Sequence, residues 1–148
     1  MSAADGIPRN PRQMIKVNSS SNGGSLFTVM TYNVLAEVCA TAKQFPKCPS
    51  LALHWEYRRQ NLLKEILQCD ADIVCLQEVQ HNHFCNFFEP ELAKLGYEGV
   101  FQEKQRRCYL PTVDGCATFY KLNQFDLIES WWINLSDFAQ GFPRFQKR

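Results

Sequence analysis

The sequence predicts an α/β fold with one sheet and flanking helices, and three observations support this class. A short β-prone run covers Leu26–Tyr32, an amphipathic stretch covers Trp55–Gln68, and a continuous apolar run covers Ile73–Leu76. A strand, a helix and a second strand in this order form a crossover connection. Such a crossover makes the two strands parallel if they share a sheet.

The first half of the predicted domain consists of a strand, a loop and a helix. Gly and Ser residues precede the strand Leu26–Tyr32, and Asn33 follows it. Pro46 and Pro49 favour a loop over residues 41–50. In residues 55–68 the apolar side chains recur at helical spacing, so one face of this helix is expected to be buried. The side chains predicted on that face are Trp55, Leu62, Leu63, Ile66 and Leu67. The charged residues predicted elsewhere on the helix are Arg58, Arg59, Lys64 and Glu65.

The second half begins with a run, Ile73–Leu76, that is long enough only for a buried strand. Phe and Leu residues then recur at helical spacing over residues 84–95, with a kink or restart at Pro90 and an end at Gly96. Asp114 and Gly115 predict a turn. Three further strands are predicted at Tyr97–Phe101, Cys116–Tyr120 and Phe125–Ile133.

The length and composition are those of one globular domain. The chain has 148 residues, 45% of them hydrophobic, and a formal net charge of +1, so no overall positive field is available to hold nucleic acid. Residues 1–25 contain a Ser-, Asn- and Gly-rich run, which predicts a flexible tail before a domain at 26–148. No stretch approaches the ~18 uninterrupted apolar residues of a membrane span, and no secretory signal is expected.

The cysteine content indicates a reducing environment. The chain has seven cysteines, an odd number, which favours free thiols in an intracellular compartment over a disulfide framework. We therefore expect the protein in the cytoplasm, with the nucleus as a second compartment. Cys75 and Cys116 lie in apolar strands and are expected to be small core residues.

Two polar residues end the apolar strands of the predicted crossover: Asn33 after the first strand and Glu78 after the second. Because the carboxyl ends of parallel strands meet at one edge of a sheet, we expect these side chains to lie close together. A carboxylate beside a neutral amide suits Mg²⁺, which takes one or two protein carboxylates and fills its other positions with water and phosphate oxygens. The alternative is structural, since Asn favours turns and a Glu often marks the point where a buried strand reaches solvent.

Three other groups of residues have both a functional and a structural interpretation. His81, His83 and Cys85 could bind a transition metal, but no fourth ligand at zinc spacing lies nearby, which favours exposed histidines and a packed thiol. The basic run at 103–107 could hold phosphate, although short charged runs are usually solvated loops. Trp131 and Trp132 could stack on bases, but strand alternation would place one of the two rings in the core.

Five blocks of the sequence, in order and in register, closely resemble the amino-terminal half of the endonuclease/exonuclease/phosphatase domain. Within that superfamily they resemble the carbon-catabolite-repressor-type deadenylases, which are relatives of nocturnin and the Angel proteins. The resemblance extends from Leu26 to about Leu135. The blocks are Phe27–Ala36, Cys48–Ile66, Ala71–Val79, Gly96-Tyr97 with Lys104, and Asp114–Lys121.

The resemblance implies a fold, a cofactor and a reaction. The full domain would be an α/β sandwich of two packed sheets, and its members cleave phosphoester bonds with Mg²⁺. Glu78 would be a metal ligand, and Asn33 would help to arrange the metal and the scissile phosphate. For the deadenylases the substrate is the poly(A) tail of mRNA, shortened from its 3′ end with release of AMP, and the partner is the CCR–NOT deadenylase complex.

The residues that complete the site in this family, a histidine, an Asp-x-Asn pair and an Asp-His pair, do not occur in this chain after Leu135. We therefore expect a partial sandwich, one sheet with the second half missing, that has little activity alone. Two alternatives stay open. One is a non-catalytic remnant that binds RNA or a partner, and the other is a nocturnin-like enzyme that removes a phosphate from a dinucleotide.

Overall fold

The computed structural model of the chain describes residues 25–104 and 114–133, together with Ile15. Its strands are β1 (Val29–Asn33), β2 (Ile73–Gln80), β3 (Tyr97–Glu103) and β4 (Asp114–Lys121). They form one mixed sheet in the order β1-β2-β4-β3. β1 and β2 are parallel, and β4 is antiparallel to both β2 and β3. The predicted α/β class and the parallel crossover are thus confirmed, while the predicted tail lies outside the described residues except for Ile15 and Ser25.

Helical segments connect the strands. A 3₁₀ turn (Glu37–Cys39), α1 (Ser50–Leu53) and α2 (Trp55–Cys69) lie between β1 and β2. α3 (His81–His83), a π-helical segment (Phe84–Phe88) and α4 (Glu89–Ala93) follow β2. Among the described residues, no helix combines the length and the apolar character needed to cross a bilayer.

The helical segment after β2 changes its pitch just before Pro90. A proline lacks an N–H, and its ring clashes with the carbonyl group four residues earlier, so an ordinary α-helical turn is disfavoured at this point. The wider π-helical turn ends at Phe88, directly before α4. It keeps Phe84, Phe87 and Phe88 buried against the sheet. α4 ends at Ala93, three residues before the predicted end, and a turn over residues 94–96 leads to Gly96, which has a φ of +81° directly before β3.

The core lies between the helices and one face of the sheet. Its largest fully buried side chains are Ile66, Val74, Leu76, Val79, Phe88, Leu92 and Phe119. On α2, Trp55, Leu62 and Ile66 are buried as predicted, but Leu67 is exposed. Cys116 is also exposed, which corrects its assignment to the core. In β4, Ala117 and Phe119 point toward the helices, so alternation directs Cys116 to the opposite face.

The predicted strand Phe125–Ile133 is wrong, because none of these residues belongs to a strand of the sheet. The chain instead turns after β4, where the N–H of Phe125 donates to the carbonyl oxygen of Lys121 at 3.0 Å. Apolar alternation favours a strand only where a neighbouring strand supplies hydrogen-bond partners. Trp131 and Trp132 are both exposed, so the expectation that one of them lies in the core is wrong as well.

The predicted turn at Asp114-Gly115 is also wrong, since both residues begin β4 and are buried. Gly115 pairs with Val79 on one side and with Glu103 on the other. A Cβ atom at this position would overlap the backbone carbonyl oxygen of Gln102. The absence of a side chain at Gly115 therefore allows β3 and β4 to approach each other closely, and the residue does not form a turn.

We expect Gly115→Ala to lower the free energy of unfolding by about 1–3 kcal/mol, because the new methyl group must push a backbone carbonyl aside. Chemical denaturation monitored by circular dichroism measures the change. The matched control is Ala117→Gly, two residues along β4, which removes a buried methyl group and creates no clash. An unchanged midpoint for Gly115→Ala would contradict the close approach.

The amino ends of β1 and β2 are joined by a hydrogen-bond network around Asp72. The backbone N–H and the hydroxyl of Thr28 both donate to Asp72 Oδ2, each at 2.8 Å. Gln124 Nε2 and Lys121 Nζ donate to Asp72 Oδ1 at 2.9 and 3.1 Å. The hydrogen bonds from Thr28, helped by Lys121 and Gln124, lower the pKa of Asp72 from 3.8 to about 2. β1 begins only at Val29, three residues later than predicted, and Thr28 directly before it belongs to this network.

This lowered pKa predicts a pH dependence of stability. Because the carboxylate binds its proton less readily in the folded state, its network contributes fully above about pH 4 and is lost as the pH falls through 2. We expect Asp72→Asn to lower the melting temperature at pH 7 and to flatten its fall between pH 4 and pH 2. Thermal unfolding across this range, with Asp126→Asn as an exposed control, measures the difference. Parallel curves for the wild type and Asp72→Asn would contradict the network.

Candidate metal and phosphate site

The carboxyl ends of β1 and β2 bring Asn33 and Glu78 into contact. Asn33 is the last residue of β1 and is paired in register with Gln77 of β2. Its Nδ2 donates a hydrogen bond to Glu78 Oε1 at 2.7 Å. The adjacency expected from the crossover is therefore present in the structure. Glu78 is half-buried and Asn33 is exposed, so this edge of the sheet is open to solvent.

A β-bulge directs the Glu78 side chain toward Asn33. In the ladder with β4, Gln77 pairs with Cys116 and Val79 pairs with Gly115, so Glu78 is the extra residue. β2 therefore continues through Glu78 to Gln80, whereas the sequence predicted an end at this point. Glu78 has a φ of +56°, which is uncommon for a residue other than glycine. Bulges and strained backbone of this kind occur preferentially beside functional sites.

The loop after β1 holds both side chains through its backbone. The N–H of Leu35 donates to Asn33 Oδ1 at 2.9 Å, and the N–H of Ala36 donates to Glu78 Oε2 at 3.3 Å. The N–H of Val34 continues the ladder to the carbonyl oxygen of Gln77 at 3.0 Å. Both ends of the amide and both carboxylate oxygens thus have defined partners, which fixes their orientation.

The donor set is compatible with a hard divalent cation. Glu78 presents a carboxylate at an open edge of the sheet, and the oxygen ligands of Mg²⁺ include one or two protein carboxylates with water and phosphate oxygens. Within residues 25–104 and 114–133, no group of three His, Cys, Asp or Glu side chains comes together. A bound ion would therefore depend on Glu78 together with water and substrate oxygens.

Arg58 takes part in this arrangement, although helical spacing placed it among the charged residues away from the buried face. Its Nη1 donates to the carbonyl oxygens of Val34 and Leu35 at 2.9 and 2.7 Å. Burial lowers the pKa of the guanidinium group, and the charge of Glu37 opposes that shift. The only sequence signal was its position within the Cys48–Ile66 block, because helical periodicity does not show how far a long side chain reaches.

A cleft of about 630 Å³ lies beside the loop. His83 is buried at its base, stacked on Trp55 with ring centroids 3.6 Å apart, and its Nε2 lies 3.3 Å from Glu37 Oε2. Burial lowers the pKa of His83, and the carboxylate of Glu37 partly offsets this shift. The residues that line the cleft are Glu37, Leu51, His54, Trp55, Glu56, Tyr57, Arg59, Asn82, His83, Asn86 and Phe87.

The other residues considered from the sequence do not converge on this edge. His81 Nε2 lies 3.6 Å from Cys85 Sγ, whereas His83 points into the cleft. The three side chains of this segment therefore do not meet as one cluster. Most of the basic run, residues 105–107, lies outside the described residues, so its proposed contact with phosphate stays a prediction.

We expect Asn33→Asp to lower the free energy of unfolding at pH 7 by about 1–2 kcal/mol, because it exchanges a donated hydrogen bond for a contact between two carboxylates. Millimolar Mg²⁺ should restore this loss, since a divalent ion neutralises both carboxylates. Melting temperatures with and without Mg²⁺ measure both effects, and Asn123→Asp in the exposed turn after β4 is the control. Equal stability of Asn33→Asp and the wild type without metal would contradict the contact.

Comparison with known proteins identifies the family. A model of the endonuclease/exonuclease/phosphatase family matches residues 30–145. The chain is 42% identical over 146 residues to Carbon catabolite repressor protein 4 homolog 1 of Arabidopsis thaliana, covering 89% of this chain and 24% of that protein. It is 36% identical over 143 residues to the CCR4-Not complex 3′-5′-exoribonuclease subunit Ccr4 of Debaryomyces hansenii, covering 93% of this chain and 17% of that protein.

The fold gives the same relationship. The structure of ANGEL2, described as a 2′,3′-cyclic phosphatase, superimposes with a TM-score of 0.61 at 36% identity, over 70% of this chain and 29% of that chain. This chain thus spans about a quarter of the length of the curated relatives it matches. The family match includes both Asn33 and Glu78 and extends from the second residue of β1 through β4. The chain belongs to the endonuclease/exonuclease/phosphatase family, and its relatives include carbon catabolite repressor proteins and a 3′-5′-exoribonuclease subunit of the CCR4-Not complex.

Proposed function

We propose that this chain carries part of the active site of a Mg²⁺-dependent 3′–5′ exoribonuclease that shortens mRNA poly(A) tails and releases AMP. The observation that carries the proposal is the contact between Asn33 and Glu78 at the open edge of the sheet. It places a carboxylate, which Mg²⁺ accepts as a ligand, beside a neutral amide that can donate to a phosphate oxygen. The bulge at Glu78 supports it, since a positive φ is retained there at a cost in stability.

The two side chains have different proposed roles. Glu78 would hold the ion, and when bound the ion would lower the pKa of an attacking water molecule and offset the negative charge that develops on the phosphate. Asn33 donates one of its two amide hydrogens to Glu78, which leaves the second hydrogen for a phosphate oxygen. The backbone N–H groups of Leu35 and Ala36 keep both side chains in this orientation.

The names of the relatives support RNA as the substrate, and the resemblance of the sequence to the deadenylases points to the poly(A) tail. One is a carbon catabolite repressor protein, and another is a 3′-5′-exoribonuclease subunit of the CCR4-Not complex. We therefore propose the mRNA poly(A) tail as substrate and the CCR–NOT complex as partner, with activity in the cytoplasm and a second pool in the nucleus. Because the formal net charge is only +1, we propose that RNA phosphates bind through a bound cation and not through a broad basic surface.

Phosphatase activity on a nucleotide is the second candidate. The likeness to ANGEL2, described as a 2′,3′-cyclic phosphatase, favours it. The same carboxylate and amide would serve this reaction, because both reactions involve attack of water on phosphorus. A nocturnin-like reaction on a dinucleotide belongs to the same class. The substrate therefore distinguishes these candidates, and the site itself does not.

The test uses a hybrid enzyme, since the chain spans about a quarter of its relatives. Residues 26–133 replace the corresponding segment of the Arabidopsis homolog, which is 42% identical. We expect the hybrid to shorten a 5′-labelled oligo(A) in Mg²⁺, and the 148-residue chain alone to show little or no activity. Glu78→Gln should reduce the rate at least about a hundredfold, because stabilisation by a metal ion is worth several kcal/mol. Glu91→Gln, which removes a half-buried carboxylate on α4 that pairs with Lys94, is the matched control.

Several outcomes separate the candidates. A hybrid with Glu78→Gln that is as active as the unmodified hybrid would overturn the proposed role of this residue. Hydrolysis of an RNA 2′,3′-cyclic phosphate or of a dinucleotide, without shortening of oligo(A), would favour phosphatase activity. RNA binding by the chain that persists in chelator and in Glu78→Gln would favour a non-catalytic binding protein.

A further inference from the structure

The loop between β1 and the 3₁₀ turn determines where both site side chains lie. The N–H of Leu35 donates to Asn33 Oδ1, and the N–H of Ala36 donates to Glu78 Oε2. A displacement of residues 34–36 would therefore move the amide and the carboxylate together. The orientation of Asn33 and Glu78 therefore depends on the conformation of this short loop.

The loop has a conformation that its own sequence does not favour. Leu35 has a φ of +57°, which lies in the left-handed region, where the Cβ atom of an L-residue comes too close to the following carbonyl oxygen. Glycine or asparagine would adopt it more readily. Contacts from another part of the molecule must therefore stabilise this turn.

Arg58 supplies these contacts from α2. Its Nη1 donates to the carbonyl oxygens of Val34 and Leu35, so one planar guanidinium group binds both carbonyls that flank the left-handed turn. Its Nε donates to the carbonyl oxygen of Leu53 at 3.2 Å. The side chain thus connects the end of α1, the first turns of α2 and the loop of the site.

The surroundings of Arg58 hold the guanidinium group in place. Its Cζ lies 5.8 Å from the centre of the Trp55 ring, and Trp55 is itself stacked on His83. Glu37, the first residue after the loop, attracts the guanidinium charge and lies within 3.3 Å of His83 Nε2. Arg58, Trp55, His83 and Glu37 therefore form a compact cluster beneath the loop.

The guanidinium group is only partly satisfied by this arrangement. Its Nη2 is buried and has no hydrogen-bond partner among the residues that the structure describes. A buried charged group with an unmet donor costs stability. Arg58 therefore lies where its Nη1 can bind the two loop carbonyls, although one of its other N–H groups is left without a partner there.

We propose that Arg58 is a positioning residue of the site: by binding the carbonyl oxygens of Val34 and Leu35, it holds the loop that orients Asn33 and Glu78 toward a divalent ion. Arg58 itself contacts neither the ion nor the substrate. The inference rests on the proposed function because it takes the edge of the sheet as a metal site. Its structural part, the control of the loop by Arg58, can be tested without metal.

The experiment compares Arg58→Lys and Arg58→Met with Arg59→Met in the 148-residue chain by NMR. Arg59 is the next residue of α2, where it pairs with Glu56. Hydrogen exchange of the Leu35 and Ala36 amides reports the loop, and exchange of Val74 and Leu76 reports the core of β2. Paramagnetic broadening of the Leu35 and Ala36 signals by Mn²⁺ reports the metal site, with Glu78→Gln as the variant that lacks the ligand.

We expect loop exchange to rise about tenfold or more in Arg58→Met, and less in Arg58→Lys, since loss of a charged hydrogen bond costs at least about a tenfold factor. The Mn²⁺ concentration for half-maximal broadening should rise about tenfold in parallel. Exchange at Val74 and Leu76 should stay within about twofold. Arg59→Met should match the wild type in every measurement.

The outcomes distinguish the two proposals. If Glu78→Gln abolishes the broadening but the Arg58 variants change neither exchange nor broadening, the role of Arg58 is overturned and the metal site stands. If the wild type shows no broadening that depends on Glu78, the proposed function fails, and loop exchange still decides the role of Arg58. If both Arg58 variants lose protection equally in the loop and in β2, Arg58 supports the whole fold, and the positioning role is overturned.

Discussion

One hydrogen bond, from the amide of Asn33 to the carboxylate of Glu78, depends on most of the architecture around it. It requires β1 and β2 to be parallel and in the observed register, so that Asn33 lies opposite Gln77. It also requires an extra residue in β2, because a regular strand would turn the next side chain to the other face of the sheet. The crossover, the register and the bulge together bring the Asn33 and Glu78 side chains into contact at this edge.

The site concentrates backbone conformations that are costly elsewhere. Of the three residues other than glycine with a positive φ among those described, two are Leu35 and Glu78, and the third is Asp70 at the end of α2. Asp70 needs no special explanation, because aspartate at a helix end adopts this conformation with little cost. Leucine and glutamate, by contrast, rarely adopt a positive φ, so Leu35 and Glu78 need another source of stabilisation. Their conformations are sustained by hydrogen bonds from neighbouring elements, among them those of Arg58.

The sequence supports correct predictions where a local pattern determines the structure. The buried run at 73–76 and the amphipathic spacing at 55–68 specify a strand and a helix, and the crossover rule then places Asn33 and Glu78 at one edge. The bulge at Glu78 was not predictable, since an inserted residue changes the pairing of two strands and leaves no mark in apolar periodicity. Arg58 was missed for a similar reason, because spacing locates the base of a side chain and not its end.

The errors at the end of the described chain have a related cause. Apolar alternation in residues 125–133 resembles a strand, but alternation does not show whether a partner strand is present. The Asp-Gly pair at 114–115 resembles a turn, but in the structure Gly115 permits β3 to approach β4 closely. In both places the decisive factor is a neighbouring segment that is distant in the sequence.

The left-handed backbone at position 78 also affects how this protein could change under selection. Glycine there would relax the strand, while any residue with a Cβ atom retains the strain. A screen that rewarded only resistance to heat would therefore tend to replace the glutamate that we propose as the metal ligand. Selection for the activity proposed above would instead favour glutamate at this position, at a cost in the stability of the fold.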